Sequence, residues 1–191
     1  MAAGKPCKTL LNELVASAQL KSLNLARAAG HLPEDMGGLN IEGLVATPDG
    51  HLLIGFRNPV PEGRALIVPL LNPDAVVDGQ PIRFGEPIQL DLGGLGIRDM
   101  TQWQNELVII GGPYNGRGHF RLFTWAGGES TPRPMESPGL KSIHPEAVII
   151  YPDKGLHEFQ LLSDDSSNQK AFPRVPKGQE KKRFRGVWVR P

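Results

Sequence analysis

Three acidic residues recur at comparable places in the chain: Glu42, Asp99 and Glu146, spaced by 57 and 47 residues. Each stands at the start of an apolar run with the length of a β-strand. Oxygen donors that converge from several strands suit a hard cation such as Ca²⁺, which takes about 6–8 oxygen ligands. Asp164, near the end of a later run in the third segment, is a further candidate ligand. Basic and polar groups lie close by. Arg98 and His144 precede the acids of their own segments by one and two residues, and Arg57 ends the second run of the first segment. Guanidinium groups recognise anionic esters and phosphates through paired hydrogen bonds, so Arg57, Arg98 and His144 are candidate substrate-binding residues. A structural role competes with both assignments: the acids bond backbone amides or water and pair with Arg57 or Arg98.

Other chemistry finds no motif. The chain has no G-x-S-x-G elbow, no phosphate-binding P-loop and no H-E-x-x-H zinc helix. His157 and Ser163 share one expected strand but stand six residues apart, about 20 Å along it, too far to act as a hydrolase pair. His31, His51 and His119 fall in loop or strand-end contexts typical of surface residues. The stretch 170–190 is basic (Lys170, Arg174, Lys177, Lys181, Lys182, Arg183, Arg185 and Arg190 against Glu180). With few aromatics interleaved, it reads as a solvated loop beside a charge-protected edge strand, and nucleic-acid stacking has little support.

The elements that must position these residues are short and numerous. Gly (23) and Pro (18) together exceed a fifth of the 191 residues without any three-residue period, which implies many tight turns. Residues 9–29 carry the helical pattern, with Leu11, Leu14, Val15 and Ala18 on one stripe and Thr9 as a cap. Gly30 and Pro33 end it. The pattern admits one helix or two broken near Ser22. From Gly37 onward, strand-length runs alternate with turns. The first segment has 41–46, the turn Pro48-Asp49-Gly50, then 52–56, 65–68 and 88–90. The second has 97–100, a turn at Gln104-Asn105, then 107–110 and, after a loop through Asn115-Gly116, 119–123. The third has 143–148, a turn at 152–155, then 156–162 and, after a polar loop, 184–189.

A recurring order of acid, strand, turn, strand, loop and strand every ~40–50 residues is the pattern of β-propeller blades. The expected fold is therefore mainly β: a partial β-propeller of about three blades (about 37–95, 96–141 and 142–191) behind a short N-terminal helical segment, 1–36. A β-sandwich is the alternative. Propellers close with ~4–8 blades, so the expectation is that N-terminal blades are missing or that a homodimer closes the ring, the third unit being one strand short.

The stretch Leu39-Asn40-Ile41-Glu42-Gly43-Leu44, with Pro48-Asp49-Gly50 and Leu53-Ile54-Gly55-Phe56-Arg57-Asn58-Pro59, resembles the signature of a bacterial family of domains of unknown function. That family is related to the phytase-like and esterase-like β-propellers. The prelude ending in Leu32-Pro33 and Gly37-Gly38 and the segment Leu161-Leu162-Ser163-Asp164-Asp165 resemble it too. The resemblance implies a propeller; a shared fold does not fix the chemistry.

Charge excludes some partners. Lys plus Arg number 21 and Asp plus Glu 20, so the whole chain offers no electrostatic ground for binding nucleic acid or an anionic membrane. No run approaches the ~18–20 apolar residues of a membrane span, and residues 1–20 lack the apolar core of a signal peptide, so the chain as written reads as cytoplasmic. A single cysteine, Cys7, can form no internal disulfide. The functional expectation is a metal-assisted hydrolase of a small anionic ester or phosphoester, with Ca²⁺ held by Glu42, Asp99, Glu146 and Asp164. The alternative is a non-enzymatic binding or scaffold module.

Overall fold

In the computed structural model, residues 6–115, 118–136, 140, 143–164 and 184–191 are described. The chain is mainly β and forms three antiparallel sheets. Strands β1 (Asn40–Ala46), β2 (Leu52–Asn58), β3 (Ala65–Leu70) and β4 (Ile88–Leu90) make the first, in that order. Strands β5 (Gly96–Trp103), β6 (Glu106–Gly112), β7 (Arg121–Trp125) and β8 (Arg133–Met135) make the second. Strands β9 (Pro145–Ile149), β10 (Phe159–Asp164) and β11 (Phe184–Val189) make the third, in the order β9, β10, β11. The sheets do not close on one another into a ring.

Tight turns drive the meander. At the β1–β2 hairpin Gly50 takes φ +84°, a region closed to most residues by their Cβ, while Thr47 N–H bonds His51 O at 2.9 Å. The short strand β8 and the helix α3 (Pro73–Val77) carry no periodic signal and are not anticipated from sequence.

The sheets stack face to face, and this explains why their strands read as unbroken apolar runs. Leu53, Ala65 and Ile67 of the first sheet meet Ile97, Met100, Leu107 and Ile109 of the second. The next residues along, Val108 and Ile110, point the other way into a core with Val148, Phe159 and Leu161 of the third sheet. A strand buried on both faces needs apolar residues at successive positions, not alternate ones.

The outer face of the first sheet is covered by the helical prelude. Leu14, Leu20 and Leu25 pack onto Ile54, Phe56, Leu66 and Val68. The prelude is two short helices, α1 (Leu10–Ala16) and α2 (Leu25–Ala29), joined through a 3₁₀ turn at Lys21–Leu23. This corrects the single-stripe expectation: Leu11 is 46% exposed although it shares α1 with the buried Leu14, and Ala18, beyond the break after Ala16, is exposed too. Thr9 stands before α1 without capping it; its hydroxyl donates to Glu13 Oε1 at 2.5 Å instead. The opposite end of the stack differs. On the third sheet Phe159 and Leu161 face the core, while the other face carries Trp188 (47% exposed) and Phe184 (71% exposed).

Candidate functional site

The three sheets share a local irregularity. In β1, Ile41 pairs with Phe56 and Gly43 with Gly55, leaving Glu42 without a cross-strand partner. In β5, Ile97 pairs with Gly111 and Asp99 with Ile110, leaving Arg98 over. In β9, Pro145 pairs with Ser163 and Ala147 with Leu162, leaving Glu146 over. Each is a β-bulge in the first strand of its sheet, a device that re-aims one side chain out of the alternating pattern. Arg57 is likewise passed over in β2, between the partners of Asn40 and Ile41.

The four re-aimed side chains form one charge chain across all three sheets. Arg57 Nη1 donates to Glu42 Oε1 at 2.8 Å, and Arg98 Nε lies 3.1 Å from Glu42 Oε2. The other end of the Arg98 guanidinium bonds Glu146. Arg57 Nε donates to Pro113 O at 3.2 Å, and the exposed Glu34 lies 3.7 Å from Arg57 Nη1. The two arginine side chains are only 6% exposed, against 21% for Glu42 and 36% for Glu146. Burying cations to that extent is tolerable because each has a carboxylate within contact. The Arg98 guanidinium stacks 5.7 Å from the Phe120 ring centre, and the His144 ring meets Phe120 edge-on. His144 Nδ1 is buried with no hydrogen-bond partner among the described residues.

Asp99 has a different task. Its Oδ2 accepts the Val148 N–H at 2.8 Å, and Thr101 Oγ1, two residues along, donates to Val148 O at 3.3 Å. Val148 lies in β9, the strand of the third sheet nearest the second, so the two side chains do for its peptide groups what a neighbouring strand would. Burial holds the Asp99 carboxyl above the ordinary aspartate value, against the pull of the Val148 and Met100 N–H groups.

Of the residues singled out by sequence, the structure thus joins Glu42, Arg57, Arg98 and Glu146. Asp99 is committed to the Val148 backbone. Asp164 is exposed at the end of β10, its N–H on His144 O. The equivalence of Glu42, Asp99 and Glu146 is corrected: the residue of the second sheet at the bulge is Arg98, so the repeat runs Glu42, Arg98, Glu146. Among the described residues, no group of three or more His, Cys, Asp or Glu side chains is arranged to hold a metal ion. His157 lies outside β10, and Ser163 Oγ accepts the His144 N–H, so the two do not share a strand. Sequence reasoning misses Pro113, which takes part only through its carbonyl, and Phe120, whose residue type alone signals no partner. The basic residues 170–183, Gly116 and Asp165 lie outside the described residues.

No helix among the described residues is long and apolar enough to cross a membrane. Residues 3–147 match the model of a family described as a protein of unknown function, DUF3616. No curated protein and no solved structure matches the chain.

Proposed function

The chain belongs to the DUF3616 family of proteins of unknown function, and we infer that it is a propeller-type binding module whose three sheets are blades arranged about a common axis. The bulged residues of the three first strands, meeting in one charge chain, support the blade reading. So does the packing of β5 against β1 and of β9 against β5. The sequence likeness to phytase-like and esterase-like propellers points the same way. A ring of ~4–8 blades would need further sheets, from a longer chain or a second copy. The helical prelude stands where a preceding sheet would pack.

One observation carries the non-enzymatic reading: Arg57 and Arg98 are buried and each is already neutralised by a carboxylate. Their role is then to tie the sheets together. Replacing Arg98 by Met leaves Glu146 without its cation and Glu42 with Arg57 alone, and removal of one partner of a buried pair costs about 3–5 kcal/mol. We expect a loss of that size in urea denaturation, no shift of the melting temperature with millimolar Ca²⁺, and no turnover of aryl esters or phosphoesters. A turnover abolished by Glu42→Ala in a protein that still folds would overturn this reading.

A second reading has one observation in its favour, the unpartnered Nδ1 of His144 beside the charge chain. In it the protein is a metal-assisted hydrolase, with Ca²⁺ on Glu42, Asp99, Glu146 and Asp164, and a small anionic ester on Arg57, Arg98 and His144. It requires the carboxylates to exchange guanidinium for metal, and so predicts a rise in melting temperature with Ca²⁺ that Glu42→Ala removes.

A further inference from the structure

Beside the charge chain, but not part of it, lies a cleft of about 560 Å³ between α2, the loop before β1 and the β2–β3 connection. Its walls are mostly apolar, with Met36, Pro59 and Val60 among them, and five side chains bring polar groups: Asn24, Arg27, His31, Asn58 and Tyr114. No carboxylate lines it. Asn58 is spent on the adjoining loop, whereas Arg27, His31 and Tyr114 make no side-chain hydrogen bond or ion pair among the described residues. Three exposed carboxylates stand in the flanking loops, Glu34, Asp35 and Glu62; Glu34 is turned to Arg57, and none forms an ion pair with Arg27. Arg27 is thus an exposed cation with no carboxylate partner among the described residues, free to meet an anion at the cleft, whereas Arg57 and Arg98 are buried and paired.

The cleft is built rather than incidental. Asn58 is 1% exposed, and its amide donates to Pro33 O at 2.9 Å and Asp35 O at 2.6 Å, stitching the loop that carries Met36 to the end of β2. Gly38 seats the same loop so closely that a Cβ there would lie 2.0 Å from Leu32 O. Met36, by contrast, is 80% exposed and offers apolar surface at the cleft. A volume of this size, apolar walls and a few polar groups are the usual makings of a small-molecule site.

We propose that this cleft binds a small organic anion with an aromatic or apolar body, of the aryl phosphate or aryl carboxylate type. Arg27 pairs with the anionic end, His31 and Tyr114 donate hydrogen bonds beside it, and Met36, Pro59 and Val60 cover the body. The proposal rests on reading the chain as a binding module and names what it binds.

Calorimetric titration of the whole chain with 2-naphthyl phosphate, 2-naphthol and inorganic phosphate tests it. The expected result is saturable binding of 2-naphthyl phosphate, at least tenfold tighter than either half alone. Arg27→Gln should weaken it tenfold or more while leaving 2-naphthol within twofold, and Met36→Ser should weaken both naphthyl compounds. Both residues are exposed, so neither change threatens folding. Arg83→Gln, at a cation that lines no part of the cleft, should change nothing. No saturable binding, or binding indifferent to Arg27→Gln, overturns the site and leaves the non-enzymatic reading intact. Release of 2-naphthol by the wild type, lost in Arg27→Gln, upholds the site and overturns the non-enzymatic reading instead.

Discussion

Asp99 and Glu158 show how two carboxylates in one fold acquire opposite pH behaviour. Burial is the main influence on Asp99 and raises it above the ordinary 3.8. Between that value and its raised folded one, the native chain binds more protons than the unfolded chain, so stability falls as pH rises through the window. Glu158 is held below its ordinary 4.5, first by Lys154 and then by Arg190. Its contribution is present above the unfolded value and is lost as pH falls through the folded one. Urea midpoints measured from about pH 3 to 7 should therefore respond in opposite senses: Asp99→Asn removes a falling segment and Glu158→Gln a rising one. A parallel change in both variants would contradict the assignment. Residue type alone conveys none of this, since a strand aspartate has the same letter whether it meets water, a metal or the Val148 amide.

At the level of elements, the first two sheets approach so closely that glycine is required. Gly43 and Gly55 face each other across β1 and β2, and a Cβ on either would lie 2.9 or 2.8 Å from Ile97 Cγ2. Overpacking of this kind costs about 1–3 kcal/mol, the loss expected for Gly55→Ala in chemical denaturation. Gly96→Ala is worse, because its Cβ would fall 1.9 Å from Arg57 O, and a main-chain oxygen cannot swing aside as a side chain does. That variant should show no cooperative unfolding; a normal transition would mean that β5 can shift relative to β2. Strand existence was readable because runs such as Leu107 to Ile110 are apolar at every position. The bulges were not. A bulge adds one residue without altering composition, so counting along β5 lands on Asp99 when the side chain delivered to the charge chain is that of Arg98.

For the whole molecule, the two ends of the stack are unlike. Leu20, 1% exposed, sits between the helices and seals them onto the first sheet. Leu20→Ala should cost about 2–5 kcal/mol by leaving a cavity there. Phe184→Ser, at a residue 71% exposed on the third sheet, should stay within about 0.5 kcal/mol; both are measurable as shifts in denaturation midpoint. The three-sheet arrangement could be anticipated from the spacing of turns, whereas which leucines of the prelude are buried depended on the break after Ala16. The Arg27 cleft left no trace in the sequence, because its walls come from five separated segments and its cation lies in a helix otherwise read for its apolar residues.

Helices cover the first flank, while at the last, among the described residues, Trp188 meets Tyr151 and Lys154 on one side and Phe184 stands 71% exposed. An additional layer would have to displace leucines already in use at the first flank, and would meet aromatic area still open to it at the last.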